Sequence, residues 1–309
     1  MPVLSIRHLT HYRYRNPVAL GEHRMMFRPH ESYDQRILSC ELVISPQPSR
    51  LRSIHDVFGN CVSIAAFAGA SRDLIFESRV RLAHTPLPAF ADVDGKVEVY
   101  TGAMPFAYSQ ADLPDLALSM VRAHPDPEGR IDRWARQFVG SGETNLQTLL
   151  SEMTEAIRAT FKYRVRHAKG AQTPVETLAL GTGSCRDYAV FMMDALRSLG
   201  LAARFVSGYI YTPHRPGPAR NGGGHTHAWV RVYLPTYGWV ELDPTNGIVG
   251  NSDLVRVAIA RDPFQALPLH GTWSGAPSDY LGMEVIVDVR NENSASVQQS
   301  PTPAVKSGG

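Results

Sequence analysis

The chain reads as an α+β protein in which a small antiparallel β-sandwich precedes a core of helices followed by strands. Three observations carry that expectation. The first 85 residues hold short runs rich in Val, Ile and Leu, separated by turn residues and lacking a 3.6-residue period. From about residue 115 the texture becomes helical. From residue 203 consecutive strand-like runs follow, and helices succeeded by strands point to α+β layering. With 309 residues, 43% of them hydrophobic and 19% charged, the chain has enough apolar surface for two domains or one large one.

The N-terminal strands are expected at residues 36–45, 61–67 and 74–82. Arg15-Asn16-Pro17, Ser45-Pro46-Gln47-Pro48 and Phe58-Gly59-Asn60 supply the turn chemistry around them. This domain spans residues 1–85. Pro86, Pro88, Pro105 and Pro114 mark residues 86–115 as a connector with little regular structure. Helices are expected at 115–123, 131–139 and 144–160. The last places Leu146, Leu149, Leu150, Met153 and Ile157 on one face. Another helix is expected at 185–199, then strands at 203–211, 225–234 and 238–242. A final strand at 284–290 completes a core assigned to residues 116–290. The tail, 291–309, is rich in Ser, Gln, Pro and Gly and is expected to be disordered.

Composition narrows the function classes. The formal net charge is +2 and no basic run clusters on one segment, so no nucleic-acid partner is expected. Cys40, Cys61 and Cys185 lie far apart with no CxxC pair, which argues against a zinc site or a disulfide framework and fits a reducing compartment. The N-terminus lacks an apolar signal-peptide core, and no uncharged apolar run approaches the ~18 residues of a membrane span. A cytoplasmic location, with no membrane partner, no metal and no cofactor, is the resulting expectation.

Three separated segments carry chemistry. In Gly181-Thr182-Gly183-Ser184-Cys185-Arg186-Asp187-Tyr188, two glycines lead into a helix beginning at or near Cys185. Ser184 suits the N-cap, and Asp187 completes a capping-box pattern. A thiol in the first helical turn meets unpaired N–H groups that favour a thiolate and can bind an oxyanion, although Asp187 brings negative charge close by. In His225-Thr226-His227-Ala228-Trp229, alternation puts His225, His227 and Trp229 on one strand face. Two such histidines without a third ligand do not make a metal site. Tyr237-Gly238 then marks a turn, and the strand Trp239-Val240-Glu241-Leu242-Asp243 returns antiparallel, bringing Asp243 towards His227 before Pro244 ends it. The order Cys, His, Asp supplies a nucleophile, a base and a group that orients the base. Tyr163, 22 residues before the thiol, is a candidate oxyanion donor, although packing is the commoner fate of such a tyrosine. The loop 212–221 is expected to border the cleft.

These residues resemble the bacterial transglutaminase-like proteins, often described as candidate cysteine proteases. The resemblance runs through Gly183-Ser184-Cys185-Arg186-Asp187-Tyr188-Ala189, through Leu199-Gly200-Leu201 and Ser207-Gly208-Tyr209, and through His227-Ala228-Trp229-Val230 and Trp239-Val240-Glu241-Leu242-Asp243-Pro244-Thr245. In the N-terminal half it rests on His11-Tyr12-Arg13-Tyr14, Arg28-Pro29 and Asp56-Val57-Phe58-Gly59-Asn60, which look like the β-domain preceding the core in this group. It covers nearly all of the chain to about residue 290. It implies a papain-like/transglutaminase-like α+β core and acyl-thioenzyme chemistry with Cys185 as nucleophile, His227 as base and Asp243 as orienting acid.

Two departures are visible. Arg186 stands where glutamine often follows the nucleophile and bears on what the cleft prefers. Phe264 lies two residues beyond the Arg261-Asp262 pair, where the group usually has tyrosine immediately after it. The expected substrate is a peptide or protein with an amide or isopeptide bond. Hydrolysis is favoured over amine transfer on grounds of context alone. The alternatives are a protein-glutamine transglutaminase, a non-catalytic binding module, and an acyltransferase with a thioester donor. Trp229 and Trp239 could shield a thioester from water if they lined the cleft, although packing is the commoner role for each.

Overall fold

The computed structural model describes residues 2–86, 90, 98–102, 106, 108–166, 168–212 and 221–295. The N-terminal strands are β1 (Val3–Met25), β2 (Gln35–Ser45), β3 (Arg50–His55), β4 (Cys61–Ala66) and β5 (Ala70–His84). The helices α1 (Leu113–Met120), α2 (Arg130–Arg136), α3 (Leu146–Thr160), α4 (Pro174–Leu180) and α5 (Cys185–Ser198) follow. The remaining strands are β6 (Ala203–Ile210), β7 (His227–Leu234), β8 (Gly238–Asp243), β9 (Ile248–Val249), β10 (Leu254–Ala260), β11 (Leu269–Ser274) and β12 (Tyr280–Asn291).

The first sheet runs β2-β5-β1-β4-β3, with β11 and β12 also paired to β1. All its pairings are antiparallel. The 23-residue β1 is shared along its length: Leu4 to Tyr14 pair with β12, whereas Ala19 to Met25 pair with β11. Register shifts after Arg13 and Leu20 bend the strand between these stretches. The sheet closes over a core of Tyr14, Val18, Leu20, Met25, Phe27, Ile44, Leu74 and Phe76. The expected assignment of the last strand to the catalytic core is thus corrected. β12 belongs to the N-terminal sheet, because the long edge of β1 needs a backbone partner that no nearer segment supplies.

β1 carries no clean apolar alternation, which hides it in the sequence. Its inward positions are Leu4, Ile6, His8 and Thr10, all buried. His8 is tolerated there because its Nδ1 meets the Tyr209 hydroxyl of β6 at 2.9 Å and its Nε2 meets Thr10 at 3.2 Å. Burial lowers its pKa to about 4, so the ring stays neutral.

The second sheet is β9-β8-β7-β6-β10, with α5 packed against it. Every residue of α5 except Arg186 is buried. Buried charged side chains on this helix are paired: Asp194 with Arg122 at 2.7 Å, and Arg197 with the carbonyls of Ser119, Ala203 and Arg261. α3 buries the expected face. Among the described residues of the connector, Val99–Tyr100 pairs with Thr144–Asn145, so it contributes a short ladder. Its residues 87–89, 91–97, 103–105 and 107, residues 213–220 of the expected cleft-bordering loop, and residues 296–309 of the tail lie outside the described residues. Among the described residues no helix is long and apolar enough to cross a membrane.

β10 is an edge strand, yet all seven of its residues are buried. The N-terminal domain covers it with side-chain amides that imitate a neighbouring strand. Gln35 donates to the Arg256 carbonyl at 2.7 Å and accepts from the Arg256 N–H at 3.0 Å. Asn60 does the same at Ile259, at 2.7 and 2.8 Å. Asn60 is held by Asp56 across the turn at Gly59, whose φ of 79° requires a glycine-like backbone. Replacing Asn60 with Ala orphans a buried N–H and a buried C=O. The expected loss is about 2–6 kcal/mol, from roughly 1–3 for each of the two unsatisfied groups. Urea unfolding would show it, and a loss below about 0.5 kcal/mol, the range of neutral surface changes, would contradict this role.

Candidate active site

Cys185 is the first residue of α5 and is 8% exposed, at the floor of a cleft of about 360 Å³. The helix starts where expected because Asp187 accepts from the Ser184 N–H at 2.7 Å and from its hydroxyl at 2.8 Å. Asp187 does not stand as an isolated charge beside the thiol. Its other oxygen takes Arg166 at 2.8 Å and the Gln172 N–H at 2.7 Å.

His227 begins β7 and Asp243 ends β8. The hairpin register places Leu234 opposite Gly238 and Val230 opposite Leu242, which carries Asp243 to the start of β7. His227 Nε2 lies 2.8 Å from Asp243 Oδ2, with both side chains fully buried. Asn246 also donates to that carboxylate oxygen at 2.7 Å, and the Thr245 N–H donates to Oδ1 at 2.9 Å. Asn246 further accepts from the Asn221 N–H at 2.8 Å, tying the glycine-rich segment to the acid. Sequence reasoning gave Asn246 no role, although a polar residue in the turn after Asp243-Pro244 was the available signal.

The other ring nitrogen, Nδ1, is buried and makes no regular hydrogen bond. Burial lowers the pKa of the ring, but the Asp243 carboxylate outweighs this and Cys185 adds to the effect through hydrogen bonding and charge. The net result is a rise from 6.5 to about 10. Asp243 is correspondingly held below its ordinary range: burial opposes its charge, and His227, Asn246 and the Thr245 N–H more than compensate. Gly222, at φ 94°, lets the chain pass the ring, since a Cβ there would sit 2.5 Å from Nδ1.

The remaining expected residues divide. Tyr163 lines the cleft, placed by the parallel pairing of Lys162–Tyr163 with Thr182–Gly183 just before the thiol. Burial, with the charges of Cys185 and Asp243, raises its pKa to about 12 against the opposing pull of Arg186, so the phenol keeps its proton. Arg186 and His225 also line the cleft. Trp229 does not, which corrects its expected contact with substrate. It is fully buried, stacks on His227 at 5.9 Å between centroids, and donates to Glu241 at 2.9 Å. Its neighbour Gly208 must lack a side chain, because a Cβ would lie 2.8 Å from the indole and 2.1 Å from the Val255 carbonyl. Trp239 packs elsewhere, between Arg204 and Arg231 at 4.5 and 4.7 Å. The opposite wall of the cleft comes from Leu267, Pro268 and, from the N-terminal sheet, Met283 and Val285.

Comparison with known proteins places this geometry. Residues 132–244 match the model of the transglutaminase-like superfamily, and residues 4–83 match that of the bacterial transglutaminase-like N-terminal region. An uncharacterized protein of Mycobacterium tuberculosis is 29% identical over 276 residues, which is 86% of each chain. A structure described as a candidate cysteine protease from Cytophaga hutchinsonii shares the fold, with a TM-score of 0.67 at 17% identity over 99% of this chain and 94% of that one. A short stretch of 71 residues is 35% identical to the protein-glutamine gamma-glutamyltransferase of Pseudomonas aeruginosa, covering 21% of this chain and 10% of that protein. The chain described here thus carries a core of the transglutaminase-like superfamily, preceded by the bacterial transglutaminase-like N-terminal domain.

Proposed function

We propose that the protein is a thiol enzyme that cleaves amide or isopeptide bonds through Cys185, His227 and Asp243, with water as the favoured acyl acceptor. The observation that carries this reading is the asymmetry of the His227 ring. Nε2 is held by a buried carboxylate, while the uncommitted Nδ1 is left to act with the neighbouring thiol.

The Cys185 proton passes to His227, and the thiolate adds to the amide carbonyl carbon to give a tetrahedral oxyanion. The Cys185 N–H, at the first helical position with no intrahelical acceptor, and the Tyr163 hydroxyl are suited to bind that oxygen. Collapse breaks the C–N bond, His227 returns the proton to the departing amine, and a thioester remains. Water, deprotonated by His227, then adds to the thioester and releases a carboxylate with the thiol restored. Trp229 and Trp239 are packed away from the thiol and cannot screen the thioester, which favours water. The short match to a gamma-glutamyltransferase motivates testing an amine acceptor alongside it.

Incubating peptide amide donors with and without a primary amine should give mainly hydrolysed product. Cys185→Ala should abolish turnover, and Asp243→Asn should lower it by at least about a hundredfold. Iodoacetamide at mildly acidic pH should modify Cys185 faster than Cys40, whose thiol is pushed up by burial. That preference should vanish in His227→Ala, and equal labelling in the parent protein would mean that the pair is not assembled.

The His227–Asp243 pair also makes stability depend on pH. The raised histidine pKa stabilises the fold in full below 6.5, and that contribution is lost as pH climbs towards about 10. The depressed Asp243 pKa stabilises above 3.8, and this is lost as pH falls through the folded value. Thermal unfolding of the parent against Asp243→Asn should therefore differ most between these limits, with the gap narrowing at alkaline pH. A gap independent of pH would contradict the pairing.

A further inference from the structure

We propose that the acyl donor carries a carboxylate adjacent to its scissile amide, and that Arg186 is the residue that selects it. The inference rests on the amide-donor reading for the nature of the ligand, but on the charge inventory of the cleft for its chemistry. The described cleft lining holds two arginines, two histidines and no aspartate or glutamate. Two of these basic groups are already answered: Arg166 by Asp187 at 2.8 Å, and His227 by Asp243 at 2.8 Å.

Arg186 is not answered. Among the described residues its one hydrogen bond is a long contact of 3.4 Å to the Ala168 carbonyl, and no ion pair with any of them neutralises it. It immediately follows the thiol and is the one residue of α5 left partly exposed. Tyr163 lines the same cleft and is near enough to Cys185 and Arg186 to feel both charges.

The same cleft is also lined by the apolar side chains of Val165, Phe205, Leu267, Pro268, Met283 and Val285. Such walls lower the local dielectric and strengthen any pairing made against them. A planar guanidinium with free N–H groups accepts a carboxylate through two parallel hydrogen bonds, which a neutral carboxamide cannot reproduce. Two donor types present that chemistry. One is an acidic side chain on an ordinary α-linked peptide. The other is the free α-carboxylate of a γ-linked glutamyl amide.

The test uses the full chain carrying Cys185→Ala, which binds donors but cannot acylate. Ligand-observed NMR at low salt would compare acetyl-Ala-Glu-Ala-amide with its Gln twin, and γ-glutamyl-alanine with its α-carboxamide twin. At least one acid should bind about tenfold more tightly than its amide twin, and the pair that discriminates identifies the source of the carboxylate. Adding Arg186→Gln should bring that ratio close to one, and Arg186→Lys should restore part of it. High salt should shrink it.

Ratios near one for both pairs, a ratio that survives Arg186→Gln, or no binding of any of the four peptides at millimolar concentration would overturn the proposal. If Cys185→Ala discriminates as expected while the parent protein turns over no donor with water or amine, the acyl-enzyme reading falls and the carboxylate site stands.

Discussion

The guanidinium of Arg256 is the point on which both domains and the candidate active site depend. It is 8% exposed, donates to Asp34 of the N-terminal domain at 2.8 Å, and also donates to Glu241 of β8. Burial opposes its charge, but the two carboxylates more than offset this and raise its pKa, while Asp34 is held below its ordinary value. Glu241 in turn accepts from Trp229, whose ring stacks on His227. The orientation of the histidine is therefore coupled through three side chains to Asp34, nearly two hundred positions earlier in the chain. Removing one partner of such a network leaves buried charge uncompensated, at a cost of about 3–5 kcal/mol. Its members consequently specify one docking arrangement of the domains.

That arrangement explains why the β-domain is more than an appendage. β10 is the exposed edge of the core sheet by topology, and an uncovered edge invites pairing with other chains. Gln35 and Asn60 close it with amide groups that match the backbone of Arg256 and Ile259. On the other side of the same domain, β12 returns along β1 and sets Met283 and Val285 against the cleft. The thiol comes from the core, and part of the wall facing it comes from the N-terminal sheet. The Val287 N–H donates to the Gly224 carbonyl at 2.9 Å, which also anchors the glycine-rich segment beside His227.

Within the core, the geometry around His227 is built from close approaches. Gly208 admits the indole of Trp229 against β6, and Gly222 admits the backbone against the imidazole. Asn246 joins the acid to Asn221, so the ring is bounded on several sides by groups that leave it little rotational freedom. An imidazole with one nitrogen committed and the other uncommitted is thereby held in place by packing.

Much of this was legible from local signals. Glycines followed by Ser184 and Asp187 specify a helix beginning at Cys185, because capping chemistry acts within one turn. A turn at Tyr237-Gly238 between two apolar runs specifies a hairpin, and hairpin register alone brings Asp243 to His227. What the tertiary structure decided lies between residues distant in sequence. β1 was hidden because His8 and Thr10 occupy inward positions, and only the distant Tyr209 makes that burial tolerable. The fate of β12 depended on an unsatisfied strand edge some 270 residues earlier. Whether Trp229 faced the cleft or packed behind His227 turned on Glu241 and Gly208. Periodicity and turn chemistry report what a segment forms. The partner that buries it is chosen by the summed satisfaction of backbone edges and buried charges across the whole chain.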